Sequence, residues 1–321
     1  MQKSFLYQNN GELPKRPKGS DCKSAGSAFG GSNPSLATMN EYLREIAIKL
    51  AREAGELVFA RREGQIEVAG TKSSDVDVVT KVDKESEQLL FSRLEELRPD
   101  DGFLGEEGRE KNSKSGLTWV VDPIDGTVNY LYNLPHYSVS IAVVSGDPRP
   151  ESWQVEAGVV YNPSTDEMFH AARSSGAFLN DRRLEIAVPP PLHLALLATG
   201  FAYSSVMREE QFRILSQLIG QLRDIRRMGT ASLDLAAVAA GRVDLYFERT
   251  LSPWDHAAGE LLVTEAGGSI SGIGGLPVGR EGILAGHPDL VAEFVEKLSN
   301  IGGDRSLAEI PGWEFDGKDV K

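Results

Sequence analysis

Trp119-Val120-Val121-Asp122-Pro123-Ile124-Asp125-Gly126-Thr127-Val128-Asn129-Tyr130 begins as an apolar strand and ends in a tight acidic turn. Asp122 and Asp125 stand three residues apart, with Pro123 between them to stiffen the backbone. Gly126 lets the chain turn and approach a ligand closely. Thr127 offers a hydroxyl where a helix is expected to start. Two carboxylates leaving a strand end can share one hard cation, with carbonyl oxygens between them as further ligands. An acidic surface turn accounts for one Asp but poorly for the whole string, so a metal site is the better reading.

The rest of the chain sets the frame. Its 321 residues allow one large domain or two packed halves. Hydrophobic residues make up 40% and charged residues 25%, ordinary values for a soluble globular protein. No apolar run is long enough for a membrane span. The formal net charge of −13 argues against nucleic acid as the main partner. It also repels a phosphorylated substrate unless bound cations invert the field at the site. The single cysteine, Cys22, excludes an internal disulfide and a cysteine metal cluster, and fits a reducing, cytoplasmic setting. No apolar signal-peptide core is present near the N-terminus.

Residues 1–36 differ from the rest of the chain. They are rich in Gly, Ser, Pro, Asn and Lys, and read as a disordered tail. Lys3, Lys15, Arg16, Lys18 and Lys23 against Glu12 and Asp21 give this segment +3, so the remainder carries −16 within the total of −13. A targeting peptide or a start at Met39 are the other readings. From Asn40, apolar residues recur at helical spacing to about Arg62. A strand-like patch at 66–68 and a loop from Gly70 to Asp77 come next, then a short extended piece. Thr80 and Asp83 form a capping-box pattern opening a helix through Leu97. Gly102–Gly108 delivers Glu106 and Glu107 into a glycine-bounded turn, and strands continue to about Leu179. Residues 37–188 therefore read as an α+β half built on a mostly antiparallel sheet. Pro189-Pro190-Pro191 then connects to an α/β half over 189–300. Residues 301–321 read as a C-terminal tail.

Taken singly, the remaining acids say little. Asp255 follows Pro253 and Trp254 at a helix start and suits a cap. Glu106-Glu107 suits a solvated turn, Asp83 a first-turn helix acid, and Lys72 a surface lysine. His136, His170, His193, His256 and His287 show no metal-ligand spacing and read as structural.

From about residue 40 to 300 the chain resembles the inositol monophosphatase family of lithium-sensitive, magnesium-dependent phosphatases. Trp119–Tyr130 carries the resemblance first. Trp254-Asp255-His256-Ala257-Ala258-Gly259-Glu260-Leu261-Leu262-Val263-Thr264-Glu265-Ala266-Gly267-Gly268 carries it second. Gly105–Gly108 and Lys72–Asp83 agree in the same order. The resemblance implies a layered αβαβα sandwich of the inositol monophosphatase and fructose-1,6-bisphosphatase type, and two or three Mg2+ ions. Glu106, Asp122 and the Ile124 carbonyl would hold one ion, and Asp122, Asp125 and Asp255 a second. Glu106 would also touch a weaker third. Thr127 and Glu106 would orient the attacking water, with Asp83 bonded to the threonine.

The same resemblance implies a small-molecule phosphate monoester as partner, its phosphate on the amides of Gly126 and Thr127 at a helix start. The alcohol would meet Asp125, Gly229, Thr230, Ala231, Glu248 and Asp255, and Lys72 would sit in a flap beside the metals. A homodimer is carried over from the family. The implied reaction is hydrolysis of inositol 1-phosphate. Fructose 1,6-bisphosphate, histidinol phosphate and 3′-phosphoadenosine 5′-phosphate are alternatives, as is a mainly regulatory binding protein with residual phosphatase activity. Two departures bear on the substrate. Val128 and Tyr132 replace a Thr and a His common in relatives, and Arg249-Thr250-Leu251-Ser252-Pro253 differs from animal enzymes.

Overall fold

A computed structural model describes residues 36–62, 67–72 and 78–313. The expected disordered tail lies, but for Leu36, outside the described residues, as does most of the loop before Val78. Helix α1 (Leu36–Arg61) precedes two paired strands, β1 (Val68–Thr71) and β2 (Val78–Thr80), and helix α2 (Lys81–Leu97). Next come β3 (Gly102–Gly105), β4 (Glu110–Lys111), β5 (Leu117–Asp125), the short helix α3 (Thr127–Leu131), β6 (Ser138–Ser145) and β7 (Gln154–Asn162). A meander adds β8 (Glu167–Ala172), β9 (Gly176–Leu179) and β10 (Arg182–Arg183). The second part runs β11 (Leu196–Thr199), α4 (Ser205–Leu218), β12 (Asp224–Arg226), α5 (Ala231–Ala239), β13 (Leu245–Glu248) and α6 (Pro253–Glu265). It closes with β14 (Ser269–Ser271), β15 (Ile283–Gly286) and α7 (Pro288–Asn300).

The first sheet has eight strands in the order β10-β9-β8-β7-β6-β5-β3-β4. It is antiparallel except where β3 runs parallel to β5. The second has five, ordered β12-β11-β13-β15-β14, with β12, β11 and β13 parallel. Hydrophobic periodicity explains the stacking. Leu43, Leu50 and Leu90 of α1 and α2 pack on Trp119, Ile141 and Val159, on one face of the large sheet. Each such fully buried leucine contributes roughly 1.5–3 kcal/mol. On its other face Val120, Val144 and Val160 meet α5 and α6 through Leu235, Leu261 and Leu262. These two helices are small-residue rich and buried nearly all round, so they also cover Tyr246 and Ile283 of the second sheet. Ile214 and Leu215 of α4 and Leu290 and Phe294 of α7 close the far face. The layers are thus αβαβα, within one compact unit.

Local chemistry sets the helix starts that matter for the site. Thr80 caps α2 and Asp83 returns the bond, completing the capping box. Ser252 and Asp255 do the same for α6, with Pro253 at the first helical position. Two segments differ from expectation. Gly70 and Thr71, expected in a loop, continue β1 because Val79 and Val78 pair with them. Residues 301–313, expected within a C-terminal tail, are held in place. Leu307 and Ile310 are buried against Met207, and Arg305 pairs with Glu210 at 2.9 Å. Among the described residues no helix is long and apolar enough to cross a membrane.

Candidate active site

The site begins with a parity problem. On a regular strand, residues three apart point to opposite faces. Asp122 pairs with Ser140 and Asp125 with Ser138, so three steps on β5 match two on β6. The extra residue lies at Pro123-Ile124, where proline has no N–H for the ladder. This bulge changes the parity and turns both carboxylates into the same cavity. Alongside, β3 ends in register with β5: Gly105 pairs with Val121, and the Glu106 N–H donates to the Val121 carbonyl at 3.1 Å. Glu106 and Asp122 therefore leave adjacent strand ends together.

Other elements fix these groups. Ile124 N–H donates to Asp122 Oδ1 at 2.9 Å. Ser232 N–H, in the first turn of α5, donates to Asp125 Oδ2 at 2.7 Å. Ser252 N–H donates to Asp255 Oδ2 at 2.7 Å, so Asp255 caps α6 while its other oxygen stays available. Thr127 Oγ1 lies 3.0 Å from both Asp83 Oδ1 and the Ile124 carbonyl, with one proton to share between them. Gly126, not Thr127, is the N-cap of α3, with φ at 90°, and a Cβ there would collide with Thr230 Oγ1.

Glu106, Asp122, Ile124, Asp125, Gly126, Thr127, Gly229, Thr230, Ala231, Glu248 and Asp255 all line one cavity of about 910 Å³. Asp83 does not. It is fully buried behind Thr127 and reaches the cavity only through that hydroxyl. On the far side Glu248 accepts from the Tyr246 hydroxyl at 2.6 Å. A Cβ at Gly200 would collide with both Glu248 carboxylate oxygens, so this glycine makes room for the acid. Asn129 Nδ2 joins the two sides, donating to the His136 and Met228 carbonyls at 2.8 Å each. Sequence reasoning did not single out Asn129 for this, nor Asp234, a buried α5 acid with both oxygens unpartnered. Arg208, Arg227, Arg280 and Trp313 also line the cavity unforeseen, because each alone looks like an ordinary surface residue.

Electrostatics sets this cluster apart from a solvated turn. Burial raises Asp122 well above the usual carboxylate range, and Glu106 and Asp125 add to it. Asp255 is raised in the same way, by burial and then by Asp125 and Glu106. Burial pushes Asp125 up to about 6 against the Ser232 hydrogen bonds, and Asp83 to about 6 against those from Thr80. Glu107 and Glu248 are each raised by burial to about 7. Crowded buried carboxylates of this kind resist ionising together unless a cation joins them. Among the described residues no three acids, histidines or cysteines form a ready-made cation cage. A protein cation stands there: Lys72 Nζ is 2.7 Å from Glu106 Oε1 and 2.7 Å from Glu107 Oε1. Burial works against the Lys72 charge, but Glu106 and Glu107 outweigh it and hold its pKa above the ordinary value. The donor set fits a hard divalent ion on its chemistry. It is all oxygen, it is mutually repelling, and Glu106 Oε2 is buried without a partner.

Comparison with known proteins places this arrangement. The family described as "Inositol monophosphatase family" matches residues 39–302. The chain is 40% identical over 268 residues to "Nus factor SuhB" of Pasteurella multocida (strain Pm70), covering 81% of this chain and 96% of that one. It is 40% identical over 266 residues to "Inositol-1-monophosphatase" of Caulobacter vibrioides, covering 81% and 99%. Among solved structures, extragenic suppressor protein suhB from Bartonella henselae superposes with a TM-score of 0.74 at 35% identity, covering 80% and 98%. With its matching fold, its strand-end acids and this span of similarity, the chain belongs to the inositol monophosphatase family.

Proposed function

We propose that this protein is a magnesium-dependent phosphomonoesterase for phosphorylated polyols, with inositol 1-phosphate as the reference substrate. One observation carries the reading: Glu106, Asp122, Asp125 and Asp255 converge on a cavity that Thr127 also enters, backed by Asp83. Glu106, Asp122 and the Ile124 carbonyl would hold one ion, and Asp122, Asp125 and Asp255 a second. When bound, magnesium supplies neutralising charge for the phosphoryl oxygens and makes water in the site more acidic.

The chain's own groups do the rest. Asp83, ionised above its pKa of about 6, accepts a hydrogen bond from the Thr127 hydroxyl. That leaves a Thr127 lone pair to accept from the attacking water, while Glu106 holds the same water from the other side. The amides of Gly126 and Thr127, which line the cavity, would seat the phosphate. Helix α3 has only five residues, so amide donors and not a helix dipole supply that seat. Glu248 accepts from hydroxyls of the polyol.

The relatives named Nus factor are as similar to this chain as those named phosphatase, so names alone do not choose. The complete set of acids favours the enzyme. Phosphate release should be assayed over inositol 1-phosphate, fructose 1,6-bisphosphate, histidinol phosphate and 3′-phosphoadenosine 5′-phosphate, with and without magnesium, and with lithium added. Magnesium-dependent, lithium-sensitive release from inositol 1-phosphate is the expected result. A substrate confined to the nucleotide overturns the polyol assignment, and no release from any overturns the enzyme.

A further inference from the structure

Asp83, Ser86 and Glu87 of α2 are all buried, and their spacing of i, i+3 and i+4 puts them on one face of the helix. Each reaches a different part of the site. Asp83 accepts from the Thr127 hydroxyl at 3.0 Å. The Ser86 hydroxyl donates to the Pro123 carbonyl, in the β5 bulge, at 3.5 Å. Glu87 accepts from the Glu107 N–H at 2.8 Å and does not itself line the cavity. A buried acid outside the cavity is costly unless its oxygens are used.

The turn after β3 uses them. Three of its amides find backbone partners. Gly105 N–H donates to the Arg109 carbonyl at 2.9 Å, Glu106 N–H to the Val121 carbonyl at 3.1 Å, and Gly108 N–H to the Gly105 carbonyl at 3.3 Å. The amides of Glu107 and Arg109 remain, and both go to the Glu87 carboxylate. The Arg109 side chain follows, with Nε 3.9 Å from Glu87 Oε1 and its guanidinium over the Phe91 ring at 4.7 Å. Gly105 leaves room for the acid, since a Cβ there would collide with Glu87 Oε2. On the cavity side Lys72 Nζ contacts Glu106 and Glu107 at 2.7 Å each. The turn is thus gripped in front by a lysine and behind by Glu87.

We propose that Glu87 is a positioning residue for the metal site: by binding the Glu107 and Arg109 amides it holds the turn that presents Glu106 beside Asp122. The proposal rests on the reading of Glu106 as a magnesium ligand and adds a residue which that reading does not use. Groups that brace a metal ligand from behind change metal affinity or activity by roughly 10–100-fold when removed.

Magnesium binding by calorimetry, without substrate, tests it on the parent, Glu87→Ala and Glu87→Gln. The apparent Kd should rise roughly 10–100-fold in Glu87→Ala. Glu87→Gln keeps one acceptor oxygen and should fall between the two. Raising magnesium should restore most of the activity of Glu87→Gln, with the KM for inositol 1-phosphate unchanged. Leu94→Ala, in the apolar core face of the same helix, controls for stability: it should lower Tm and leave the magnesium Kd as in the parent. Parental magnesium affinity in both Glu87 variants overturns the proposal, as does an equal weakening in Leu94→Ala. If Glu87→Ala does not fold, Glu87→Gln decides by the same criteria. A parent that binds magnesium but hydrolyses no ester removes the phosphatase reading and leaves Glu87 to be judged on Kd. A parent that binds no magnesium overturns both.

Discussion

Thr127 Oγ1 stands 3.0 Å from Asp83 Oδ1, across 44 residues of sequence. Asp83 is held there by two bonds to Thr80, from its N–H at 2.8 Å and from its hydroxyl. The capping box of α2 therefore sets the acceptor for the hydroxyl at the end of β5. Replacing Thr127 by valine keeps the shape and removes the proton. The expected result is a kcat lower by roughly 10²–10⁴-fold with KM nearly unchanged, and Thr127→Ser should keep most of the activity. Steady-state kinetics on a variant of parental circular dichroism checks this.

The crowding of Asp122 predicts a trade of stability against function. Burial and the charges of Glu106 and Asp125 oppose its ionisation. Asp122→Asn should therefore melt at a higher temperature than the parent in metal-free buffer. Magnesium should stabilise the parent by about 2.7 kcal/mol at a hundredfold excess over Kd, and the variant far less. Thermal melts with and without magnesium read both effects.

Gly200→Ala probes the polyol side. The new Cβ would displace the Glu248 carboxylate, which is buried and bonded to Tyr246. The expected consequence is a KM for inositol 1-phosphate raised roughly tenfold with kcat largely kept. An unchanged KM would show that Glu248 does not meet the substrate.

Glu260 gives a pH prediction away from the metal ligands. Burial raises it from 4.5 to about 7. The folded state thus holds its proton more tightly than the unfolded chain, so this group destabilises the fold as pH rises from about 4.5 through about 7. His256, one turn away, is lowered by burial from 6.5 to about 3 and works in the opposite sense, removing stability as pH falls below 6.5. Comparing Glu260→Gln with the parent isolates the first effect. The variant should gain roughly 2–4 °C in Tm at pH 8 relative to its difference from the parent at pH 4. A pH-independent difference would contradict the assignment.

Much of this was legible from sequence because it is local. The two long motifs, the capping box at Thr80 and Asp83, and the helix opened by Pro253 each depend on neighbours within a few residues. The bulge was less legible. The spacing of Asp122 and Asp125 hinted at a shared ion, but only the pairing with Ser138 and Ser140 shows how both acids face one way. Lys72 lodged between Glu106 and Glu107 depends on how a distant strand pair lies over the site. Part of the cavity lining left no local signal at all. Arg208, Arg227, Arg280 and Trp313 come from four separate segments, and the last belongs to a stretch whose composition suggested a tail. Besides Leu307, Ile310 and Arg305, that stretch is held by Arg249, which donates to the Arg305 carbonyl at 2.7 Å and whose burial no pattern in the sequence announces.

The most direct test of the central claim is a magnesium titration of phosphate release from inositol 1-phosphate, run on the parent and on Asp122→Asn. Release should require magnesium in the parent and fall roughly 10³-fold in the variant at saturating metal, with the fold retained. Release that persists in chelator, or a variant as active as the parent, would contradict the account.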